Sequence, residues 1–274
     1  SSAGIETTTG PLGQGIGNAV GMAIAEQILA KRFGKDLVDH YTYVIAGDGC
    51  LMEGISQEAA SLASHLQLSK LIILFDDNKI TIDGDTSLTT SEDQTARFKA
   101  LGWHAADVDG HNINAIAGAI CAARKDIRPS IIACRTIIGY GAPTKEGSSA
   151  THGALLGEEE VDRARKRLNW PYQPFEIPNK ISDEWLATGQ RCISIYNSWQ
   201  ALLTNQSEEM QKSFKKAIKG DLPIELSQHL TAYKRKLAKE KPTLATRAAS
   251  GNTLEIVNKL LPEAIGGSAD LTGS

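Results

Sequence analysis

Apolar residues follow two alternating spacings through the first half of the chain. From 13 to 33 they recur at helical spacing, whereas 41–46 is a short β-branched and aromatic run. The first spacing is typical of a helix packed on a core, and the second of a buried strand. The alternation continues to about residue 136. It predicts helices at 13–33, 53–66 and 113–124, and strands at 41–46, 70–75, 103–108 and 130–136.

This alternation predicts the fold class. Strands that are apolar throughout and alternate with helices indicate an α/β protein whose parallel sheet has helices on both faces. Ligands of such sheets bind beyond the carboxyl ends of the strands. Gly47-Asp48-Gly49, Asp76-Asp77-Asn78 and the glycine-rich loop 137–157 all fall there. We therefore expect the functional site at that edge, with the loop as a candidate lid.

The second half of the chain has a different organisation. Helices dominate from about 182 to 218, and a charged connector covers 219–243. A helix over 244–260 and a strand beginning at Ala264 follow, and these two elements cannot bury a core by themselves. We expect a domain at 1–218 that is truncated at its N-terminus, a linker at 219–243, and the truncated beginning of a second domain at 244–274.

Composition narrows the class of protein. The 274 residues contain 29 Lys and Arg against 32 Asp and Glu, a balance that favours neither nucleic acid nor an anionic membrane as a partner. No apolar run approaches the ~20 residues that span a bilayer, and the first residues lack the features of a secretory signal. The four cysteines contain no C-x-x-C spacing, which favours free thiols in a cytoplasmic protein.

Asp48 and Asn78 are the strongest candidates for chemistry. Each follows a predicted strand, and one helix joins the two strands, so a right-handed crossover brings the strand ends together. A carboxylate, a carboxamide and a backbone carbonyl just after Asn78 would provide three oxygen ligands for Mg²⁺, which takes the others from phosphates and water. Gly47 and Gly49 allow close approach of the backbone. A lone Gly-Asp-Gly is more often a turn, and only the pairing with Asn78 indicates a diphosphate site.

Several long motifs then resemble the transketolase family, in the order in which they occur there. They are GIETTTGPLGQGIGNAVGMAIAE, GDGCLMEGIS, LFDDNKITIDG, CRTIIGYGAP and TRAASGNTLEIVNKLLPEAIGGSADLTGS. The resemblance covers the whole chain and is weakest from about 181 to 240. It implies a thiamine-diphosphate enzyme that transfers a two-carbon ketol unit from a ketose phosphate to an aldose phosphate in the pentose phosphate pathway.

The resemblance also implies the residues that bind the cofactor. Asp48, the Asn78 side chain and the Ile80 carbonyl would hold Mg²⁺, for which Ca²⁺ or Mn²⁺ could substitute. Gly49 would contact the diphosphate of thiamine diphosphate. The other cofactor-binding positions that it implies are Gly10, Pro11, Leu12, His152 and Asp270.

Sugar phosphates are the implied substrates, and a homodimer with the active site at the subunit interface is the implied assembly. His152 would be the catalytic residue, in contact with cofactor and substrate, since an imidazole stabilises charge or moves protons near neutral pH. Arg247 and Ser274 would bind the sugar phosphate, because a guanidinium fork matches phosphate oxygens. Leu155 replaces the usual proline of the family, which affects the assignment of His152.

Two alternatives remain open at this stage. One is a related thiamine-diphosphate enzyme, such as dihydroxyacetone synthase or deoxyxylulose-phosphate synthase. The other is a catalytically inactive fragment that acts as a binding or dimerisation module, since the glutamate that activates the cofactor in the family lies beyond Ser274. We expect this chain alone to be inactive and the complete protein to be active.

Overall fold

A four-stranded parallel sheet forms the centre of the first half of the protein, in a computed structural model that describes residues 4–268. The chain divides into two compact units, 1–199 and 200–274. The sheet has the order β1-β2-β6-β5, and a separate two-stranded ribbon joins β3 and β4. The strands are β1 (Thr42–Gly47), β2 (Leu71–Asp77), β3 (Ile80–Thr81), β4 (Gly84–Asp85), β5 (His104–Asp109) and β6 (Ser130–Arg135).

The register aligns the carboxyl ends of the four strands. Gly47 of β1 lies opposite Asp76 of β2, and Asp77 lies opposite Arg135 of β6. Arg135 is in turn opposite Asp109 of β5. The predicted site segments therefore end at one edge of the sheet, as the parallel topology requires.

Helices connect these strands and make up most of the remainder of the chain. The glycine at 13, in the left-handed conformation, precedes α1, and another at 34 follows it. The helices are α1 (Gln14–Phe33), α2 (Asp48–Met52), α3 (Gly54–His65), α4 (Gln94–Ala100), α5 (Ile113–Ala123), α6 (Glu158–Arg167), α7 (Asn179–Thr204), α8 (Glu208–Lys219), α9 (Ile224–Glu240) and α10 (Thr246–Leu260).

The core lies on both faces of the sheet, which confirms the predicted fold class. On one face α1 and α3 pack on β2 and β6, around the buried side chains of Ile73, Phe75 and Ile131. The indole N–H of Trp103 donates to the carbonyl of Ala60 in that layer, at 2.9 Å. On the other face α5 covers the alternate positions of β2 and β6. The buried residues of this second layer are Ile72, Ala123, Ile132 and Cys134.

The structure corrects two predictions of local structure and adds a short helix. The helix predicted at 53–66 is α3 (Gly54–His65), and a further short helix, α2 (Asp48–Met52), precedes it and was not predicted, with Glu53 extended between the two. The charged connector contains α9, which buries Leu226. No strand starts at Ala264 within the described residues, where the backbone is irregular. The domain boundaries at 218 and 243 stay a prediction, since compactness alone does not test them.

The four cysteines are free thiols, as their spacing predicted. Cysteines 50, 121, 134 and 192 form no disulfide. Across residues 4–268, every helix is too short or too polar to pass through a bilayer.

Candidate active site at the carboxyl edge of the sheet

Asp48 occupies the first turn of α2, directly after β1. Its carboxylate oxygen Oδ2 accepts a hydrogen bond from the backbone N–H of Lys79, at 3.2 Å. Lys79 lies just beyond β2 and has a positive φ of 62°, an uncommon conformation for a residue with a side chain. The turn after β2 therefore reaches back to the end of β1, so the two predicted segments lie in contact.

The same turn fixes the Asn78 side chain between two neighbours. Its Oδ1 accepts from the backbone N–H of Ile80 at 2.9 Å, and its Nδ2 donates to Asp76 Oδ2 at 3.0 Å. Ile80 begins the β3–β4 ribbon, in which it pairs with Asp85. The predicted ligands Asp48, Asn78 and Ile80 thus belong to one small region.

The carboxylates of this region differ in how their charge is balanced. Burial and the charge of Asp77 raise the pKa of Asp48 to about 6, and nearby Lys79 opposes this only in part. Asp77 itself pairs with Arg135 at 2.7 Å and with the Lys79 ammonium at 3.0 Å. Asp48 is therefore the carboxylate whose ionised form lacks a sufficient cation in the folded protein.

The donor set suits a hard cation that brings its own ligands. Among residues 4–268, no three His, Cys, Asp or Glu side chains cluster closely enough to hold a metal ion. One carboxylate, one carboxamide and one carbonyl provide three oxygen ligands, which fit Mg²⁺ together with a diphosphate and water.

Leu12 lies over Gly49, the glycine that follows Asp48. A Cβ at Gly49 would be 3.1 Å from Leu12 Cδ1, a tighter contact than most side chains make. Next to Leu12, Gly13 has φ +81°, and a Cβ there would meet Glu53 and Ile55 at 2.8 Å. The chain segment before α1 is therefore packed onto the start of α3. About half of the Leu12 side chain remains exposed, which leaves an apolar surface beside Asp48.

A cleft of about 260 Å³ opens next to Asp48. Asp48, Met52 and Lys79 line one part of it, and hydroxyl, carboxylate and carboxamide side chains from the segment 85–94 line the rest. Nearly all of the residues that line it have polar or charged side chains, which suits a site for a charged group.

The glycine-rich loop 137–157 carries His152 as an exposed residue after a 3-10 turn. Glu160 of α6 is buried and accepts from both the N–H and the hydroxyl of Thr144, at 2.7 and 2.9 Å. Gly139 packs closely against Thr151, since a Cβ at Gly139 would lie 2.6 Å from Thr151 Cγ2, and this contact holds the loop beside His152. The loop that was predicted as a lid is therefore anchored at several points.

The remaining predicted residues belong to a later part of the chain. Arg247 is in the first turn of α10, in the second compact unit, and its side chain is exposed. Asp270 and Ser274 lie outside the described residues.

Three residues at this edge were missed by sequence reasoning. Thr136 donates its hydroxyl to Asp76 Oδ1. His111 accepts from the backbone N–H of Ile137 at 3.0 Å, and its ring stacks 4.2 Å from that of Tyr140. A Cβ on Gly110 would lie 2.5 Å from Thr136. Their position in the sequence could have identified them, because Gly110 and His111 directly follow β5, and Thr136 directly follows β6.

Comparisons with known proteins extend these observations. The family described as "Transketolase, thiamine diphosphate binding domain" matches residues 1–223. The chain is 54% identical to a transketolase of Cereibacter sphaeroides, over 99% of this chain and 41% of that protein. The chain thus spans about two fifths of the length of that relative.

Solved structures with the same architecture carry the same name. A transketolase from Leishmania mexicana superposes with a TM-score of 0.86 at 38% identity, covering 99% of this chain and 41% of that one. A Pichia stipitis transketolase in complex with sedoheptulose-7-phosphate superposes with a TM-score of 0.84 at 37% identity, covering 98% and 40%.

Proposed function

Because this chain belongs to the transketolase family, we propose that it supplies the Mg²⁺ and diphosphate half of a transketolase active site. The complete protein would reversibly transfer a two-carbon ketol unit from a ketose phosphate to an aldose phosphate. The matched domain is described as binding thiamine diphosphate, and the Pichia stipitis relative was solved with a sugar phosphate. The relatives bear the name transketolase, which favours this function over the related thiamine-diphosphate enzymes.

The incompletely balanced charge of Asp48 is the observation that carries the proposal. Its carboxylate is half-buried, its pKa is raised to about 6, and it contacts the turn that contains Asn78. A bound divalent cation would stabilise the ionised carboxylate and reverse this shift. Asp48, the Asn78 oxygen and the Ile80 carbonyl would hold Mg²⁺, and the diphosphate would complete its shell.

The glycines and Leu12 would bind the rest of the cofactor. Gly49 lies under Leu12, so an anion could approach its backbone while the Leu12 side chain packs against an apolar ring. Gly10 and Pro11 precede Leu12 on the same exposed segment. Thiamine diphosphate, once bound, would supply the nucleophilic carbon that accepts the ketol unit.

Other residues would act on the substrate. His152, exposed on its anchored loop, would contact cofactor and sugar, and it would stabilise charge on their oxygens or transfer protons. Arg247 and Ser274 would bind the sugar phosphate, and Asp270 would lie near the cofactor. We also propose that the complete protein is a homodimer with the active site at the subunit interface. It would be cytoplasmic and act in the pentose phosphate pathway. The family resemblance supports these points.

Replacing Asp48 tests the metal assignment directly. We expect Asp48→Ala to weaken Mg²⁺-dependent binding of thiamine diphosphate by at least about 100-fold, because it removes the only carboxylate among the proposed ligands. Isothermal titration calorimetry with cofactor at fixed Mg²⁺ measures this loss.

Asp126→Ala is the matched control, since Asp126 is a carboxylate that precedes β6 at the opposite edge of the sheet and pairs with Arg128. Its cofactor affinity should equal that of the unmodified protein. Unchanged affinity in Asp48→Ala would refute the Mg²⁺ assignment.

A further inference from the structure

Asn78 would be a useful metal ligand only in one of its two amide orientations. Flipping the carboxamide by 180° exchanges its oxygen and nitrogen and would present N–H groups, which bind no cation. Two neighbours distinguish the orientations. Asp76 Oδ2 lies 3.0 Å from Nδ2, and the N–H of Ile80 lies 2.9 Å from Oδ1.

Both neighbours enforce the same orientation. An ionised carboxylate only accepts hydrogen bonds and a backbone N–H only donates them. A flipped amide would therefore set oxygen against oxygen at Asp76 and N–H against N–H at Ile80. The observed orientation satisfies both contacts and leaves a lone pair of Oδ1 for a ligand.

Asp76 is itself held from the next strand of the sheet. The hydroxyl of Thr136, just beyond β6, donates to Asp76 Oδ1, the oxygen that does not contact Asn78. The N–H of Thr136 also points to the carbonyl of Asp77, at 3.4 Å. Each carboxylate oxygen of Asp76 thus has its own donor, and the plane of the carboxylate is fixed.

Gly110 packs against Thr136. Its N–H donates to the carbonyl of Arg135 at 2.8 Å, and a Cβ on Gly110 would lie 2.5 Å from Thr136 Cγ2. No side chain fits at 110 unless the end of β6 moves. A continuous contact path therefore runs from β5 through Thr136 and Asp76 to Asn78.

The neighbouring carboxylate, Asp77, does not orient the Asn78 amide. Asp77 is paired with Arg135 and Lys79, and its side chain is on the other face of β2 from that of Asp76. Of the two aspartates that precede Asn78, only Asp76 contacts the carboxamide.

We propose that Asp76 and Thr136 are positioning residues that hold the Asn78 carboxamide with its oxygen toward the cation. The proposal rests on the proposed function, because it assumes that Asn78 is a Mg²⁺ ligand. Thr136 would act by orienting Asp76, which in turn orients Asn78, and it would not contact the metal itself.

Substitutions at Thr136 separate this task from simple packing. Thr136→Val keeps the size of the side chain but removes the hydroxyl, whereas Thr136→Ser keeps the hydroxyl. At saturating thiamine diphosphate we expect Thr136→Val to weaken Mg²⁺ binding about tenfold by calorimetry, and Thr136→Ser to bind within twofold of the unmodified protein. Asp76→Asn should weaken it at least as much as Thr136→Val.

A second measurement reports the amide without any metal. Hydrogen exchange of the Asn78 side-chain NH₂, followed by NMR, should become faster in Thr136→Val and stay slow in Thr136→Ser. Unchanged Mg²⁺ affinity in Thr136→Val, equal losses in the Val and Ser variants, or unchanged NH₂ exchange would each overturn the proposal. Failure of the unmodified protein to bind Mg²⁺ with thiamine diphosphate would instead overturn the proposed function, and the exchange data would still show whether Thr136 controls the amide.

Discussion

A buried carboxylate at the amino edge of the sheet and a half-buried one at the carboxyl edge differ in how their charge is balanced. At the amino edge, Glu26 of α1 is buried and pairs with Lys70, which also contacts Asp39. At the carboxyl edge, Asp48 is half-buried, and burial together with neighbouring carboxylates raises its pKa to about 6. At the amino edge Lys70 balances Glu26, whereas at the carboxyl edge Arg135 and Lys79 pair with Asp77 and leave Asp48 without a sufficient cation.

This difference indicates which edge receives a ligand. Burial by itself lowers the pKa of Lys70, but hydrogen bonds to Asp39 and Glu26 outweigh this and raise it, so the charge of Glu26 has a partner. The Asp48 carboxylate is destabilised when ionised, a cost that a bound divalent cation would remove. A perturbed carboxylate in a cleft is a functional candidate, whereas a paired one is structural.

Removing the charged side chain of Lys70 at the amino edge should have the largest effect on stability. We expect Lys70→Met to lower the free energy of unfolding by about 3 kcal/mol, because Glu26 would be buried without a partner. Urea unfolding at pH 7.5 measures the change. The double variant with Glu26→Gln should recover most of the loss. A loss below about 1 kcal/mol in Lys70→Met would contradict the comparison.

Removing the charge at the carboxyl edge should have a smaller effect of opposite sign. We expect Asp48→Asn to raise the stability of the metal-free protein at pH 7.5 by about 1 kcal/mol, a value reduced for solvent screening at this half-buried group. Urea unfolding at several pH values measures it.

The pH dependence of this effect follows from the raised pKa. Unfolded Asp48 releases its proton near pH 3.8, and folded Asp48 near pH 6. Between these pH values the folded state binds more protons than the unfolded state. The contribution of Asp48 to the free energy of unfolding therefore falls as the pH rises from about 4 to about 6, and it is constant above about pH 6. Asp48→Asn should remove that slope.

Asp126 provides a control with the reverse sign. A hydrogen bond from Arg128 lowers the pKa of Asp126 to about 2, so its stabilisation is present above pH 4 and is lost on acidification. Asp126→Asn should therefore leave the slope between pH 4 and 6 in place. If Asp48→Asn lost stability at pH 7.5, the assignment of an unbalanced charge would be wrong.

The smallest expected change in stability concerns the exposed apolar side chains of the two edges. Leu12→Ala should alter the free energy of unfolding by no more than about 0.5 kcal/mol, since half of the side chain is exposed. It should nevertheless weaken thiamine diphosphate binding about tenfold, through the apolar area lost from the contact. Ile127→Ala, at the opposite edge, should change neither quantity. Equal affinities of the two variants in calorimetry would remove Leu12 from the proposed site.

Much of the first unit was predictable because its strands are short apolar runs between periodic helices. The strand predicted at 41–46 is β1 (Thr42–Gly47), and the helix predicted at 13–33 is α1 (Gln14–Phe33). Polar runs were harder to interpret, since α4 and α6 have few apolar residues and were not predicted. The helix of the charged connector was missed although Leu226, Leu230, Tyr233 and Leu237 recur at helical spacing, because charged residues dominate the segment around them.

The sequence by itself determined the parallel α/β topology, and with it the meeting of the Asp48 and Asn78 segments at one edge. That result needs only the order of the elements and the handedness of the crossover. Only the tertiary structure decided which carboxylates are balanced and which way the Asn78 amide faces. The partners involved are far apart in the chain, 44 residues for Glu26 and Lys70 and 60 for Asp76 and Thr136, so no local spacing encodes their contact.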